Sequence, residues 1–323
     1  VGGTGKTPQI EYLIRLLSDQ YKIATLSRGY KRKSEGFVLA DSTSNAEILG
    51  DEPFQFYEKF SHIQVAVDAN RTNGITQLLL QHDKPEVILL DDAYQHRKVK
   101  AGFYILLTSY GDLYADDFML PTGNLRESRS GADRANIVIV TKCPKNLSIE
   151  EEGRIQRKLK LRTNQQLYFT FIDYDNAIYG KNEKIDVTEI KSWSKLLLAG
   201  IAKPVPFFDY LKNENDECMS FPDHYHFSEE DIQSIQIKSR GRKIITTEKD
   251  YVRLKDSKLV HQLYYLPIKS SFIKEQQNFD ESKTVFQEIS DDYPTMTNGE
   301  IRNILAAFVF EGDDVFKPIS ALS

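Results

Sequence analysis

Val1-Gly2-Gly3-Thr4-Gly5-Lys6-Thr7-Pro8 opens the chain, and this stretch decides the fold. Glycines at this spacing let backbone N–H groups converge on phosphate oxygens without side-chain clash. Lys6 then neutralises β- and γ-phosphate charge, and the Thr7 hydroxyl suits Mg2+. A helix must follow, so that its positive end faces the phosphates. Pro8–Gln20 reads as that helix: Ile10, Leu13, Ile14, Leu16 and Leu17 recur at spacings of three and four, and Pro8 fits a first turn. The plainer alternative is a Gly-rich turn before a helix. The amphipathic run that follows directly argues for the phosphate loop. Gly2, Gly3, Thr4, Gly5, Lys6 and Thr7 are therefore the candidate nucleotide-binding residues. The motif places its first position one residue before Val1, and such a loop normally follows a buried strand. The expectation is an N-terminally incomplete sequence, with that strand and any anchor lying upstream.

Moving outward, Lys22–Ser27, Ile63–Asp68, Val87–Asp92, Phe103–Thr108 and Ile137–Thr141 read as apolar strands, and 70–81 as a helix. Strands alternating with helices predict an α/β fold whose parallel sheet is covered on both faces, of the P-loop NTPase type. The second half changes texture. Leu167–Ile172 alternates with aromatics and runs into Asp173–Asn176 and Gly180–Lys184, which predicts a hairpin-like connector. Lys195–Gly200 and Lys243–Thr247 are again strand-like. Glu229–Lys238 reads as a helix, with Ser228 as N-cap and Asp231 in the capping-box position. The expected division is a P-loop core at 1–165 and a smaller α/β domain at 166–323 that closes over the site.

Composition sets the outer limits. The 323 residues carry 40% hydrophobic and 28% charged side chains, ordinary for a globular protein and unlike a disordered chain. No apolar run reaches the ~18 residues needed to span a bilayer. A net charge of -5 argues against a general nucleic-acid binder. Two cysteines, Cys143 and Cys218, are too few for a disulfide framework or a Cys-rich zinc site, which fits a reducing compartment.

Asp91 and Asp92 close an apolar strand, where a carboxylate can hold Mg2+ beside the phosphate loop. A helix N-cap or solvated strand end is the alternative. At Thr141-Lys142-Cys143-Pro144, proline stands where a guanine-specific protein carries the Asp that accepts guanine N–H groups, so ATP is favoured over GTP. Val1 stands where partner-switch ATPases often carry a signature lysine. Gly50-Asp51-Glu52-Pro53 is a second acidic cluster: Asp51 is a candidate base, or both acids belong to the first turn of a helix. Asp223-His224-Tyr225-His226-Phe227 is a base pair or a surface loop, without zinc-ligand spacing. Leu120–Glu127 is a Gly/Pro loop suited to phosphate or metal contact, or a plain connector. The basic run Arg28, Lys31, Arg32, Lys33 suits an anionic group or is solvated.

Together these segments resemble one family, the tetraacyldisaccharide 4′-kinases of lipid A biosynthesis. The matching pieces run in family order through VGGTGKTP (1–8), SRGYKRK (27–33), GDEP (50–53), DDAYQHRKV (91–99), LPTGNLRES (120–128), GIAKP (200–204), FPDHYHF (221–227) and TTEKD (246–250). Ala93, Thr122 and Asn124 depart mildly from its pattern. The resemblance implies transfer of the ATP γ-phosphate to the 4′-hydroxyl of a tetraacylated glucosamine disaccharide 1-phosphate. It implies Asp51 as catalytic base with His224 as partner, and Lys6 on the phosphates. Thr7, Asp91, Asp92 and Glu127 are implied around the metal, and Glu52, Gln95, His96 and Arg126 as further active-site positions. It also implies an inner-membrane contact on the cytoplasmic side through an upstream helix, a glycolipid as the partner, and no nucleic acid. Rival expectations are a P-loop kinase for a soluble metabolite and a non-enzymatic nucleotide switch.

Overall fold

The computed structural model describes residues 3–223 and 225–273, together with 284, 286, 287 and 290. Gly2 and His224 lie outside the described residues. Among those described, strands form three sheets, all flanked by helices.

The phosphate loop leads into α1 (Lys6–Leu17), then β1 (Ile23–Ser27), β2 (Val38–Leu39), α2 (Ala46–Leu49), α3 (Asp51–Lys59), β3 (Gln64–Val67), α4 (Arg71–Leu79) and β4 (Val87–Leu90). The strand order is β2-β3-β1-β4. β1 runs parallel to both β3 and β4, whereas β2 is antiparallel to β3. Every residue of β1 is buried, as an interior parallel strand requires. On one face Ile10 and Ile14 of α1 meet Phe56 and Phe60; on the other, Ala24 and Leu26 meet Leu78 of α4.

Next come β5 (Ile105–Ser109), β6 (Ile137–Thr141), α5 (Ile149–Leu159) and β7 (Gln166–Tyr174). These strands are parallel, and β6 is buried throughout. Leu167–Ile172 is therefore not an arm of a connector hairpin. It belongs to a sheet strand whose alternating aromatics serve two faces. The hairpin is the next pair, β8 (Ala177–Tyr179) and β9 (Lys184–Asp186), turning through Gly180–Glu183.

The chain then builds α6 (Val187–Ile190), β10 (Leu196–Ala199), α7 (Val205–Leu211), β11 (Glu217–Ser220), α8 (Glu229–Ser239), β12 (Ile244–Thr247), α9 (Glu248–Leu254) and β13 (Leu263–Leu266). Their sheet has the order β11-β10-β12-β13-β8-β9, parallel except where β8 joins β13 and where β9 joins β8. Leu197 and Ile245 enter one core and Leu196 and Ile244 the other, so both faces are covered. The expected capping box opens α8: the Ser228 hydroxyl accepts from the Asp231 N–H while the Asp231 carboxylate accepts from the Ser228 N–H. Finally β14 (Ile268–Phe272) returns to pair antiparallel with β7.

An ion-pair network joins α1, α3 and α9. Lys59 of α3 lies 2.7 Å from Glu11 of α1 and 2.6 Å from Glu248 of α9. Glu11 is buried and also accepts from Gln55 at 3.0 Å and Arg15 at 2.9 Å. Burial, followed by the Glu11 charge, pushes Glu248 up to about 7. Burial alone would lower Lys59, but the two carboxylates outweigh it and hold its pKa above the usual range. Between the 4.5 of an ordinary glutamate and about 7, the folded chain holds a proton at Glu248 that the unfolded chain has lost. Stability therefore falls as pH rises through this window, by up to ~1.4 kcal/mol per pH unit. Glu248→Gln should flatten that slope in denaturant titrations at pH 5, 6 and 7. The same slope in the variant would show that Glu248 is ionised throughout.

Candidate active site

Two groups at the end of β6 seat the phosphate loop. The Thr141 hydroxyl lies 2.8 Å from the Thr4 carbonyl and 3.2 Å from that of Thr108, and it donates its one proton there. The Lys142 ammonium donates to the Gly3 carbonyl at 2.5 Å. In a trans peptide the N–H points opposite its C=O. Holding these two carbonyls therefore turns the Thr4 and Gly5 amides to the other side, toward the space a phosphate fills. Gly5 caps α1 with φ 79°, a left-handed conformation that glycine adopts at no steric cost. Thr7 sits in the first turn of α1, as an Mg2+-facing hydroxyl requires.

The acids after β4 converge on this loop. Lys6 Nζ lies 3.2 Å from Asp92 Oδ1, and Arg126 Nη1 lies 3.7 Å from Asp92 Oδ2. Asp92 has φ 47°, a conformation an Asp tolerates better than most residues. Burial raises its pKa, but Lys6 and Arg126 outweigh this and hold it below the usual carboxylate range. Asp91 behaves oppositely. Burial pushes its carboxyl up to about 6, against the pull of Lys6 and with help from the charges of Asp92 and Glu52. Ser27 donates to it at 3.4 Å. Buried Arg71 donates to the Asp91 carbonyl at 3.1 Å and to that of Asp68 at 2.6 Å, fixing the turn behind the acids.

Asp51 and Glu52 open α3. Gly50, their N-cap, has φ 92°, and a Cβ there would lie 3.2 Å from the Tyr30 carbonyl. Glycine thus lets α3 start against the 27–33 loop. Asp51 pairs with Arg253 of α9. Arg253 also lies 3.4 Å from fully buried Asp250, whose pKa burial raises. Lys249 lies 3.6 Å from Glu52 and 3.3 Å from Asp223, so it links the start of α3 to the loop that carries His224 in sequence.

The remaining expected positions divide. Gln95, Arg126, Glu127 and Asp92 line one cavity. Glu127 is gripped by Arg134 at 2.7 Å and Arg97 at 3.0 Å. Burial would raise Glu127, but the two arginines hold it below its usual value. His96 Nε2 is buried without a hydrogen-bond partner among the described residues. Of the basic run, Arg32 donates to the carbonyls of Gly36 and Val67 and Lys33 pairs with Glu47, so these two serve the loop's own shape.

Thr141, Lys142, Arg71, Lys249 and Arg253 are site residues that sequence reasoning missed. TTEKD carried a trace of the last two, because Thr247 and Asp250 form a helix N-cap pattern that would have placed α9. Lys203, in the quoted GIAKP segment, sits close enough that its charge lowers the Lys142 pKa further, after burial.

No group of three or more His, Cys, Asp or Glu at ligand spacing occurs among the described residues. The hard oxygen donors of Thr7, Asp91 and Asp92 nevertheless fit Mg2+, which binds through one or two carboxylates and substrate phosphates.

A seated phosphate loop entering a helix, its lysine on an acid that follows a neighbouring strand, and a second acid pair opposite define a P-loop phosphotransferase. The chain belongs to the tetraacyldisaccharide-1-P 4′-kinase family, whose model matches residues 1–285. A tetraacyldisaccharide 4′-kinase from Flavobacterium johnsoniae is 81% identical over 282 residues, spanning 87% of this chain and 83% of that protein. Its counterpart in Bacteroides thetaiotaomicron is 46% identical over 301 residues, spanning 86% and 79%. The solved structure of LpxK from Aquifex aeolicus in complex with ATP matches with a TM-score of 0.66 at 29% identity, covering 86% of this chain and 82% of that one.

Thr141→Val keeps the shape and removes the hydroxyl that holds the Thr4 carbonyl. It should weaken ATP binding about fivefold, the equivalent of one buried hydrogen bond. Calorimetric titration checks this; unchanged affinity would show that the loop seats itself.

Proposed function

We propose that this chain transfers the γ-phosphate of ATP to the 4′-hydroxyl of a tetraacylated glucosamine disaccharide 1-phosphate, giving the 1,4′-bisphosphate lipid. The observation that carries this reading is the ion-pair chain Glu52–Lys249–Asp223 beside Asp51–Arg253. It joins the GDEP start of α3 to the FPDHYHF segment, two stretches that a nucleotide site alone does not need.

A sugar hydroxyl is a poor nucleophile at neutral pH. In this reading the Asp51 carboxylate takes its proton, with His224 as partner, while the hydroxyl oxygen bonds to the γ-phosphorus. The bond from that phosphorus to the β–γ bridging oxygen breaks, and ADP leaves with the electron pair. Positioning and charge neutralisation lower most of the barrier. Lys6 meets phosphate charge and the amides of the loop orient it. Mg2+, when bound by Thr7, Asp91 and Asp92, supplies further positive charge to the phosphates. Glu127, with an arginine on each of its oxygens, is the more occupied acid of that set. Arg253 grips one Asp51 oxygen and so fixes the carboxylate in position.

We read the chain as a P-loop core, 1–165, and a smaller α/β unit, 166–323, that closes over the site, with β7 bonded to the core's β6 and β14 bonded in turn to β7. The pairs Asp51–Arg253, Lys59–Glu248 and Glu58–Lys255 support closure, since each spans the two. The acceptor's acyl chains place the reaction at a membrane surface, and ATP places it on the cytoplasmic face of the bacterial inner membrane. No helix among the described residues is long and apolar enough to cross a membrane.

Incubation with γ-labelled ATP, Mg2+ and the acceptor in mild detergent should move label to the lipid. Asp51→Asn and Lys6→Ala should each lower kcat by at least about a hundredfold. Asp51→Asn should leave ATP affinity within about twofold, because the base touches the acceptor and not the nucleotide. ATP turnover without labelled lipid would sink the glycolipid assignment.

A further inference from the structure

The loop 117–125 is closed by its own backbone. Phe118 C=O accepts from Leu125 N–H at 2.9 Å, and Leu120 N–H donates to Leu125 C=O at 2.9 Å. Met119 C=O accepts from the N–H groups of Thr122 and Gly123, each at 3.1 Å. The Asp117 carboxylate accepts from the N–H groups of Phe118 at 2.8 Å and Asn124 at 3.0 Å. Arg129 donates to the Asp117 carbonyl at 2.8 Å, and its guanidinium lies 5.4 Å from the centre of the Phe118 ring. Leu125 is buried beneath.

A loop satisfied in this way has no structural need of large apolar side chains at its tip. Yet Phe118, Met119 and Leu120 are 61%, 52% and 60% exposed. Single exposed apolar residues are ordinary, whereas three in succession form a patch. Arg129 stands at its base, and exposed Arg97 lies on Glu127 just beyond. These cations are local, because the chain as a whole carries -5. The loop runs directly into Leu125, Arg126 and Glu127, which line the cavity beside Asp92.

We propose that the 118–120 tip inserts into the interface of an anionic bilayer, with Phe118, Met119 and Leu120 among the upper acyl carbons and Arg129 and Arg97 at the head groups. This rests on the reading of the acceptor as a membrane glycolipid. The contact sets the 125–127 segment, and with it the phosphate-transfer site, at head-group height, where the sugar hydroxyl of such a lipid lies. The acceptor then needs to rise only part of the way out of the bilayer.

The test uses the whole protein, whose single tryptophan is Trp193, with vesicles of phosphatidylcholine and phosphatidylglycerol brominated on their acyl chains. Leu120→Trp should add emission that shifts to the blue on vesicle binding and is quenched by bromine, beyond any change in the parent. Replacing all three residues by serine should lower vesicle partitioning at least about a hundredfold, from the apolar area lost, with an unchanged melting temperature. Quenching no greater than in the parent would overturn the proposal. Quenching only after acceptor is added would overturn it too, by assigning the tip to the acceptor's own chains. Loss of self-association in the triple serine variant without quenching in Leu120→Trp would make the patch a protein contact and also overturn it. The phosphotransfer reading is judged separately, by label transfer from the parent in detergent micelles. There a double Phe118→Ser, Met119→Ser variant, which keeps Leu120, should retain the parent kcat.

Discussion

The site depends on two carbonyl groups being held from behind. A phosphate-binding loop works by presenting N–H groups, and nothing in a run of glycines chooses which way its peptides face. Thr141 and Lys142 make that choice by bonding the Thr4 and Gly3 oxygens. Both stand at the end of β6, a strand buried along its whole length and therefore rigid. The orientation of the loop is thus borrowed from a sheet that is distant in sequence. Gln9 adds a second tie from α1, donating to Thr170 of β7 at 3.2 Å.

The acids around this loop have been sorted by their surroundings and not by their chemistry. Asp91 and Asp92 are neighbours in sequence, yet burial raises one while Lys6 and Arg126 lower the other. Asp51 and Glu52 are likewise adjacent and are taken by different cations of α9. Glu127 spends its charge on two arginines. A cluster of five acids would repel itself if left unpaired. Here each except Asp91 is matched to a lysine or arginine drawn from another element, and Asp91 is the acid whose pKa burial and its acidic neighbours raise.

Much of this was legible in the sequence, and the boundary of legibility is physical. Contiguous patterns were read correctly: the loop into α1, the acids after β4, the capping box of Ser228 and Asp231. These are local signals, set by neighbours within about one helical turn. What escaped were partnerships across long separations. Thr141 looks like any strand-end threonine until Thr4 is beside it. Arg253 sits in a charged helix and gives no sign of meeting Asp51. Leu167–Ile172 was misread as a hairpin arm because its alternation marks a two-faced strand without naming the partner. That partner, β14, lies nearly a hundred residues on, and the pairing is antiparallel to a strand otherwise in a parallel sheet.

The return of β14 to β7 has a consequence for biosynthesis. The whole six-stranded sheet lies between these two strands in the chain, so β7 leaves the ribosome long before its outer neighbour does. During that interval Tyr168, Phe169 and Phe171 stand on an open edge with unpaired amides, the arrangement most prone to pairing with other chains. The inserted sheet has its own cores on both faces and can fold while β7 waits. Closure of the edge is therefore a late, long-range event, and loop-closure entropy makes it slow. Until β14 arrives, the β7 edge is the part of the fold most open to pairing with another chain.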